Sequence, residues 1–123
     1  MRTRAAILLA MLLAGCASMS QPPPGGVTTD SADFRVEAYP ATRNGRAVVE
    51  GYVYNKRPWR ATRVRLRVES LDAAGAVLGS GVRPLDREVP NGDRAYFEVP
   101  APVAAPAYRV SVEYVFWRDK SGV

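Results

Sequence analysis

The sequence predicts an all-β fold, an antiparallel β-sandwich of six or seven short strands. Three observations carry this. From Phe34 to Trp117 apolar residues recur with a period of two, the pattern of strands that bury one face. Turn signals rich in Gly, Pro and Asn separate the runs. No useful length of chain repeats its apolar residues every 3.6 positions, which removes amphipathic helices from the reading. A small closed barrel is the alternative arrangement.

Taken in order, Phe34, Val36 and Ala38 alternate with Arg35, Glu37 and Tyr39, and Pro40 is expected to end that strand. Asn44-Gly45 favours a tight hairpin turn into a second strand. There Ala47, Val49, Gly51 and Val53 share one face, against Val48, Glu50, Tyr52 and Tyr54 on the other. Gly51 has no side chain to pack, the mark of a bulge or of a close backbone approach. Asn55-Lys56-Arg57-Pro58 closes the strand. The third is the cleanest: Val64, Leu66 and Val68 alternate with Arg63, Arg65, Arg67 and Glu69, giving one dry face and one wet face. Leu71-Asp72-Ala73-Ala74-Gly75 turns the chain into residues 76–82, a weaker strand interrupted by Gly79 and Gly81. A loop bracketed by Pro84 and Pro90-Asn91-Gly92-Asp93 follows. Residues 94–99 then set Ala95, Phe97 and Val99 against Tyr96 and Glu98. Pro100, Pro102 and Pro106 interrupt pairing. In the last strand, 108–117, Val110, Val112, Tyr114 and Phe116 are expected on one side. Arg109, Ser111, Glu113, Val115 and Trp117 are expected on the other.

Ahead of the strands, residues 1–15 open with Arg2 and Arg4 and continue through an almost unbroken apolar run, the order of a secretory signal peptide. A bilayer span needs about 20 apolar residues. This run is roughly half as long, and Ser18, Ser20 and Gln21 do not extend it. Small residues lead into Cys16, the single cysteine of the chain. Leu13-Ala14-Gly15-Cys16 resembles the lipobox of bacterial lipoproteins. That resemblance implies cleavage before Cys16 and acylation of its sulfur and of the new amino terminus. Because Ala17 and not Asp follows, it also implies delivery to the bacterial outer membrane, with the domain facing the periplasm. Each buried CH₂ is worth ~0.8 kcal/mol, so one chain anchors marginally and two or more anchor stably. A secreted protein with a free thiol at its cleavage site is the alternative, and it leaves a lone cysteine in an oxidising compartment.

Residues 16–32, with Pro22-Pro23-Pro24-Gly25-Gly26, read as the lipidated cysteine and a Pro/Gly-rich tether spanning roughly 20–45 Å. A proline-motif ligand for a partner domain is the other reading of that stretch. Residues 33–119 then make one β-sandwich domain.

The chain carries +5; loss of Arg2 and Arg4 with the signal leaves +3. Once Cys16 is acylated no thiol remains for a disulfide or a zinc site. The chain has no histidine, so neither Ser-His-Asp nor Cys-His nucleophile systems can be assembled. It has no Gly-rich phosphate loop either. Glu50, Glu69, Glu98 and Glu113 alternate with apolar residues and are expected on wet faces, not as a catalytic pair in a cleft. Asp72 with Gly75 fits a hairpin turn better than a calcium loop. No catalytic residue, metal or cofactor is expected, and no nucleic-acid partner.

Pairing of the third and last strands, as in immunoglobulin-like sheets, would set Arg63, Arg65 and Arg67 beside Arg109, Glu113 and Trp117 on one outer face. Tyr52, Tyr54 and Trp59 contribute elsewhere. Arginine stacks on aromatic rings and forks onto carboxylate or phosphate. These six residues are therefore the candidate binding residues, a docking face for an envelope protein complex or an anionic envelope component. The plainer alternative is a solvated sheet face with cross-strand Arg–Glu pairs worth ~0.2–1 kcal/mol each.

Finally, Val49-x-Gly51-x-Val53-x-Asn55, Val64-x-Leu66-x-Val68, Leu71-Asp72-x-x-Gly75-x-Val77, Pro90-x-Gly92 and Phe97-x-Val99 form an ordered set. It resembles the FxLYD-type domains of bacterial and archaeal envelope proteins, with Leu71-Asp72 where that family prefers Tyr-Asp. The resemblance covers Phe34 to Trp117. It implies an immunoglobulin-like antiparallel β-sandwich, no catalytic residues, and an extracytoplasmic adhesion, assembly or spacer role. The expected function is a membrane-anchored, non-catalytic binding or assembly module. The alternative is a passive structural lipoprotein that self-associates through its edge strands.

Overall fold

The alternation of dry and wet residues becomes seven strands over residues 25–118, the part of the chain that the computed structural model describes. They are β1 (Val27–Asp30), β2 (Phe34–Arg43), β3 (Arg46–Asn55), β4 (Arg60–Leu71), β5 (Val77–Pro84), β6 (Arg94–Pro100) and β7 (Ala107–Arg118). The signal peptide expected over 1–15 and the acylation expected at Cys16 lie outside the described residues. One sheet has the order β1-β2-β3-β6, the other β5-β4-β7, and every pair is antiparallel. The result is an all-β sandwich; no ladder joins the two sheets into a barrel.

The two inner faces supply the core. Val36, Val49, Val53 and Phe97 from one sheet meet Val64, Leu66, Val68 and Val110 from the other, all 2% exposed or less. Burying each such side chain contributes about 1.5–3 kcal/mol. The loop between β5 and β6 joins in through Leu85 and Val89. Val89 is fixed there by two backbone hydrogen bonds with Ala61, at 2.9 and 3.0 Å.

Several local expectations hold in detail. Asn44 and Gly45 both take positive φ, 52° and 73°, as the mirror-image hairpin turn requires. The Asp72 carboxylate accepts the Ala74 and Ala76 amides at 2.9 and 2.8 Å and closes the β4–β5 turn. Gly51 marks a close approach: a Cβ there would stand 2.8 Å from the Glu37 carbonyl carbon and nearer still to its oxygen.

Three expectations need correction. Val27–Asp30, placed within the 16–32 tether, is an edge strand paired to β2 from Val27↔Ala38 to Asp30↔Arg35. It turns only Val27 and Thr29 inward, too little apolar surface to register as a strand by pattern. Second, Pro40 does not end β2, which runs on to Arg43. The β1 partner stops opposite Ala38, so Pro40 falls where β2 already has a free edge and can lack an N–H. Third, the alternation in β7 reverses halfway, with consequences for the candidate face described below.

The sandwich has two distinct ends. Gly25, the β2–β3 hairpin, the β4–β5 turn and the loop 101–106 lie at one end, which we call the tether end. There the buried Ser70 hydroxyl donates to the Val103 carbonyl at 2.9 Å and accepts from the Val103 amide at 3.2 Å. The Tyr108 hydroxyl accepts the Ala105 amide at 2.9 Å. At the far end, buried Asn55 donates to the carbonyls of Trp59 and Val89 at 2.7 and 3.3 Å and accepts the Arg57 amide at 2.9 Å.

Candidate binding face

β4 and β7 do pair, so the third and last strands of the sequence reading share an outer face. Its lower half consists of matched charges. Arg109 forks onto Glu69 with two 3.0 Å contacts. The Arg109 hydrogen bonds hold the Glu69 carboxyl below the ordinary glutamate range, and the same bonds push the Arg109 guanidinium up. Arg67 is ion-paired with Glu113. Half of the stripe is therefore the cross-strand Arg–Glu face that the plainer reading describes.

The upper half differs because the strands carry compensating bulges. Arg65 and Leu66 are neighbours in β4, yet they pair with Tyr114 and Val112, which leaves Glu113 as an extra residue in β7. Three steps from Thr62 to Arg65 then face two steps from Phe116 to Tyr114, which puts an extra residue in β4. Arg63 sits there at φ 50°, a left-handed conformation that costs a non-glycine residue about 1–2 kcal/mol. The first bulge inverts β7. Tyr114 and Phe116, expected to share a side with Val110 and Val112, turn outward and are 46% and 49% exposed. Trp117, expected on the outer face, turns inward and packs on the core. It stacks on Phe34 at 5.3 Å with 8° between the rings, and meets Trp59 edge-on at 6.0 Å. Trp117 therefore leaves the candidate set.

The exchange gives the outer face two aromatic rings that simple alternation would point inward. The Arg63 guanidinium lies 5.5 Å from the Phe116 ring centre, and that of Arg65 lies 5.3 Å from the Tyr114 ring. Neither arginine is in an ion pair with another described residue. Next to them Thr62, Arg63, Leu85, Phe116 and Arg118 border an open hollow of about 460 Å³, whose rim also carries Asp86, Arg87 and Glu88. What this half of the face can do chemically is accept an anion on two exposed guanidiniums beside two exposed aromatic rings.

A second group surrounds Tyr52 and Tyr54, whose partners the sequence does not disclose. On the outer face of the other sheet, Tyr52 pairs across the ladders with Glu37 on one side and Tyr96 on the other. Arg94 lies over Tyr52 and Arg35 over Tyr54, each at 4.4 Å, and the Tyr52 and Tyr96 rings meet edge-on at 5.7 Å. Glu50 and Glu98 stand directly opposite each other, and Arg43 bridges both at 2.8 Å. The Tyr96 hydroxyl donates to Glu50 at 2.8 Å, which pushes its pKa above the usual tyrosine value. The rows of Tyr and Glu were visible in β3; the signal lost was which strand lay beside it. These guanidiniums and rings satisfy one another, so the group reads as a self-paired surface.

Among the described residues no three His, Cys, Asp or Glu side chains are placed to hold a metal ion. No helix among them is long and apolar enough to cross a membrane.

No protein-family model and no curated protein matches the chain. The chain is similar to a solved structure of a DUF1425 family member from Shewanella sp. pv-4, with a TM-score of 0.44 and 17% identity, covering 76% of this chain and 92% of that one.

Proposed function

We propose that this protein is a lipoprotein of the bacterial outer membrane, held by acylated Cys16 and facing the periplasm, whose sandwich is a non-catalytic binding or assembly module. The FxLYD-like order of Asn55, Asp72-x-x-Gly75 and Pro90-x-Gly92 supports an envelope module of that type. The observation that carries a docking role is the upper half of the β4–β7 face. There Arg63 and Arg65 stack on exposed Phe116 and Tyr114 and take no carboxylate partner among the described residues. Exposed aromatics beside arginine make up the residue set that dominates protein interfaces. The partner is an acidic surface of a larger envelope protein or another anionic envelope component.

The test is recovery of a crosslinked partner from whole cells. Arg63→Ser with Arg65→Ser should abolish it, whereas Arg67→Ser, which only frees Glu113, should leave most of it. Equal recovery from the double variant and the parent would refute use of this face. Cys16→Ser should move the protein from the membrane pellet to the soluble fraction; persistence in the pellet at unaltered mass would refute the anchor.

A second reading, a passive spacer that self-associates, is favoured by β5 and β6, each paired on one side only. It predicts crosslinked homo-oligomers with no stoichiometric partner.

A further inference from the structure

We propose that the tether end of the sandwich beds on the lipid bilayer, setting its turn 72–78 and its loop 101–106 against the headgroup layer. The inference rests on the reading of Cys16 as an acylated anchor. Its starting point is an uneven distribution of charge. Although 24% of the chain is charged, residues 73–82 and 99–108 contain no charged side chain at all. The fold brings these two stretches together. Val103 lies 3.5 Å from where a Cβ on Gly79 would stand, and Ser70 holds its backbone. At this end Val77, Leu78 and Val103 are 48%, 53% and 43% exposed. The far end is more evenly charged, crossed by the ion pairs of Lys56 with Asp30, Arg57 with Asp33, and Arg60 and Arg118 with Glu88, whereas the tether end has its charge at Asp72 and along the β2–β3 hairpin, where Arg43 bridges Glu50 and Glu98.

What covers this apolar rim follows from where the chain leaves the domain. Gly25 packs beside the loop: a Cβ on it would stand 2.9 Å from Pro40 Cγ and closer to the Pro106 carbonyl oxygen. Eight residues lie between Cys16 and Gly25, nine Cα-to-Cα steps. They reach at most about 30 Å when extended and average roughly 15–18 Å when flexible. An anchor at Cys16 therefore holds the rim, and not the far end, nearest the lipid. Arg46, on the hairpin at the same end, is exposed and forms no ion pair with another described residue, which suits anionic headgroups. A few apolar side chains with a basic neighbour are the chemistry of interfacial contact. Tethering makes that contact intramolecular, so a weak one is enough.

Because acylation consumes Cys16, the single variants Leu78→Cys, Val103→Cys and Asn91→Cys each offer one free thiol in the full chain, the last at the far end. Each is labelled with an environment-sensitive dye and reconstituted in vesicles of phosphatidylethanolamine and phosphatidylglycerol. Dyes at 78 and 103 should shift to the blue and be quenched by headgroup-labelled lipid, while the dye at 91 should do neither. Co-flotation of the protein with vesicles but identical emission at all three positions would overturn the bedding and leave the anchor intact. Failure to float would overturn the anchor and the bedding with it. Ready disulfide dimerisation through Leu78→Cys without lipid quenching would assign the rim to a second copy and overturn the proposal.

Discussion

Replacing Ser70 with alanine isolates one device on which the tether end depends. The hydroxyl is fully buried and serves both backbone groups of Val103, so it ties the β6–β7 connection to the middle sheet strand. Alanine fills nearly the same space, so no cavity term enters. Two hydrogen bonds disappear, each worth about 1 kcal/mol net. The Val103 amide and carbonyl are left facing the sheet, a further ~1–3 kcal/mol if water cannot reach them. Because Val103 is 43% exposed, water has a route in, and the total settles near the lower end, about 2 kcal/mol. Amide exchange reads this directly, since loops open locally without global unfolding. Exchange at Val103 should accelerate about thirtyfold, the factor that ~2 kcal/mol implies. Ala105, held separately by Tyr108, should change less. An unchanged Val103 rate in Ser70→Ala would mean that the hydroxyl does not hold the loop, and the reasoning would fall.

Three other perturbations test different links. Gly51→Ala should cost about 3 kcal/mol or more, the upper range for overpacking, because the obstacle is main chain that no rotamer can move; urea denaturation within 1 kcal/mol of the parent would contradict the close approach. Trp117→Ala should cost about 3 kcal/mol as a core aromatic, whereas an outward-facing tryptophan would cost no more than about 0.5, so one melting curve decides its side. Glu69 has a lowered folded-state pKa, so its stabilising share is present above the ordinary glutamate value of 4.5 and is lost as pH falls through the folded value. Glu69→Gln should therefore be less stable than the parent near neutral pH, with the gap closing under acid; a gap that stays constant down to the acid limb would exclude the Arg109 pairing as its source.

The period-two pattern made β2, β3, β4, β6 and β7 legible because each turns alternate, mostly apolar residues toward the core. Asn44-Gly45 was legible for a different reason, since few residue pairs tolerate two positive φ values in succession. The strand that escaped, β1, owes its place to hydrogen bonding along the β2 edge and not to burial. A pattern of buried residues cannot report a strand recruited in that way. Pro40 misled for a related reason: the rule against proline in sheets applies to paired edges, and pairing is a property of the neighbour.

The candidate site was half legible, and β7 shows why. Alternation fixes the two faces of a strand only while the ladder keeps its count. One extra residue at Glu113 moves every side chain beyond it to the opposite face. That places Arg67, Glu69, Arg109 and Glu113 where the sequence put them, below the bulge, and reverses Tyr114, Phe116 and Trp117 above it. Nothing in residues 108–117 announces the bulge, because apolar and aromatic side chains continue on both sides of the strand from Tyr114 onward. Its energetic logic is nonetheless visible in the packing. Without it Trp117 would face water and Phe116 the core; with it the largest side chain of the strand stacks on Phe34 and closes the far end of the sandwich. The same step delivers Tyr114 and Phe116 to Arg65 and Arg63. Core closure and the aromatic half of the β4–β7 outer face are thus one structural event, and a variant that removed the Glu113 bulge would lose both together.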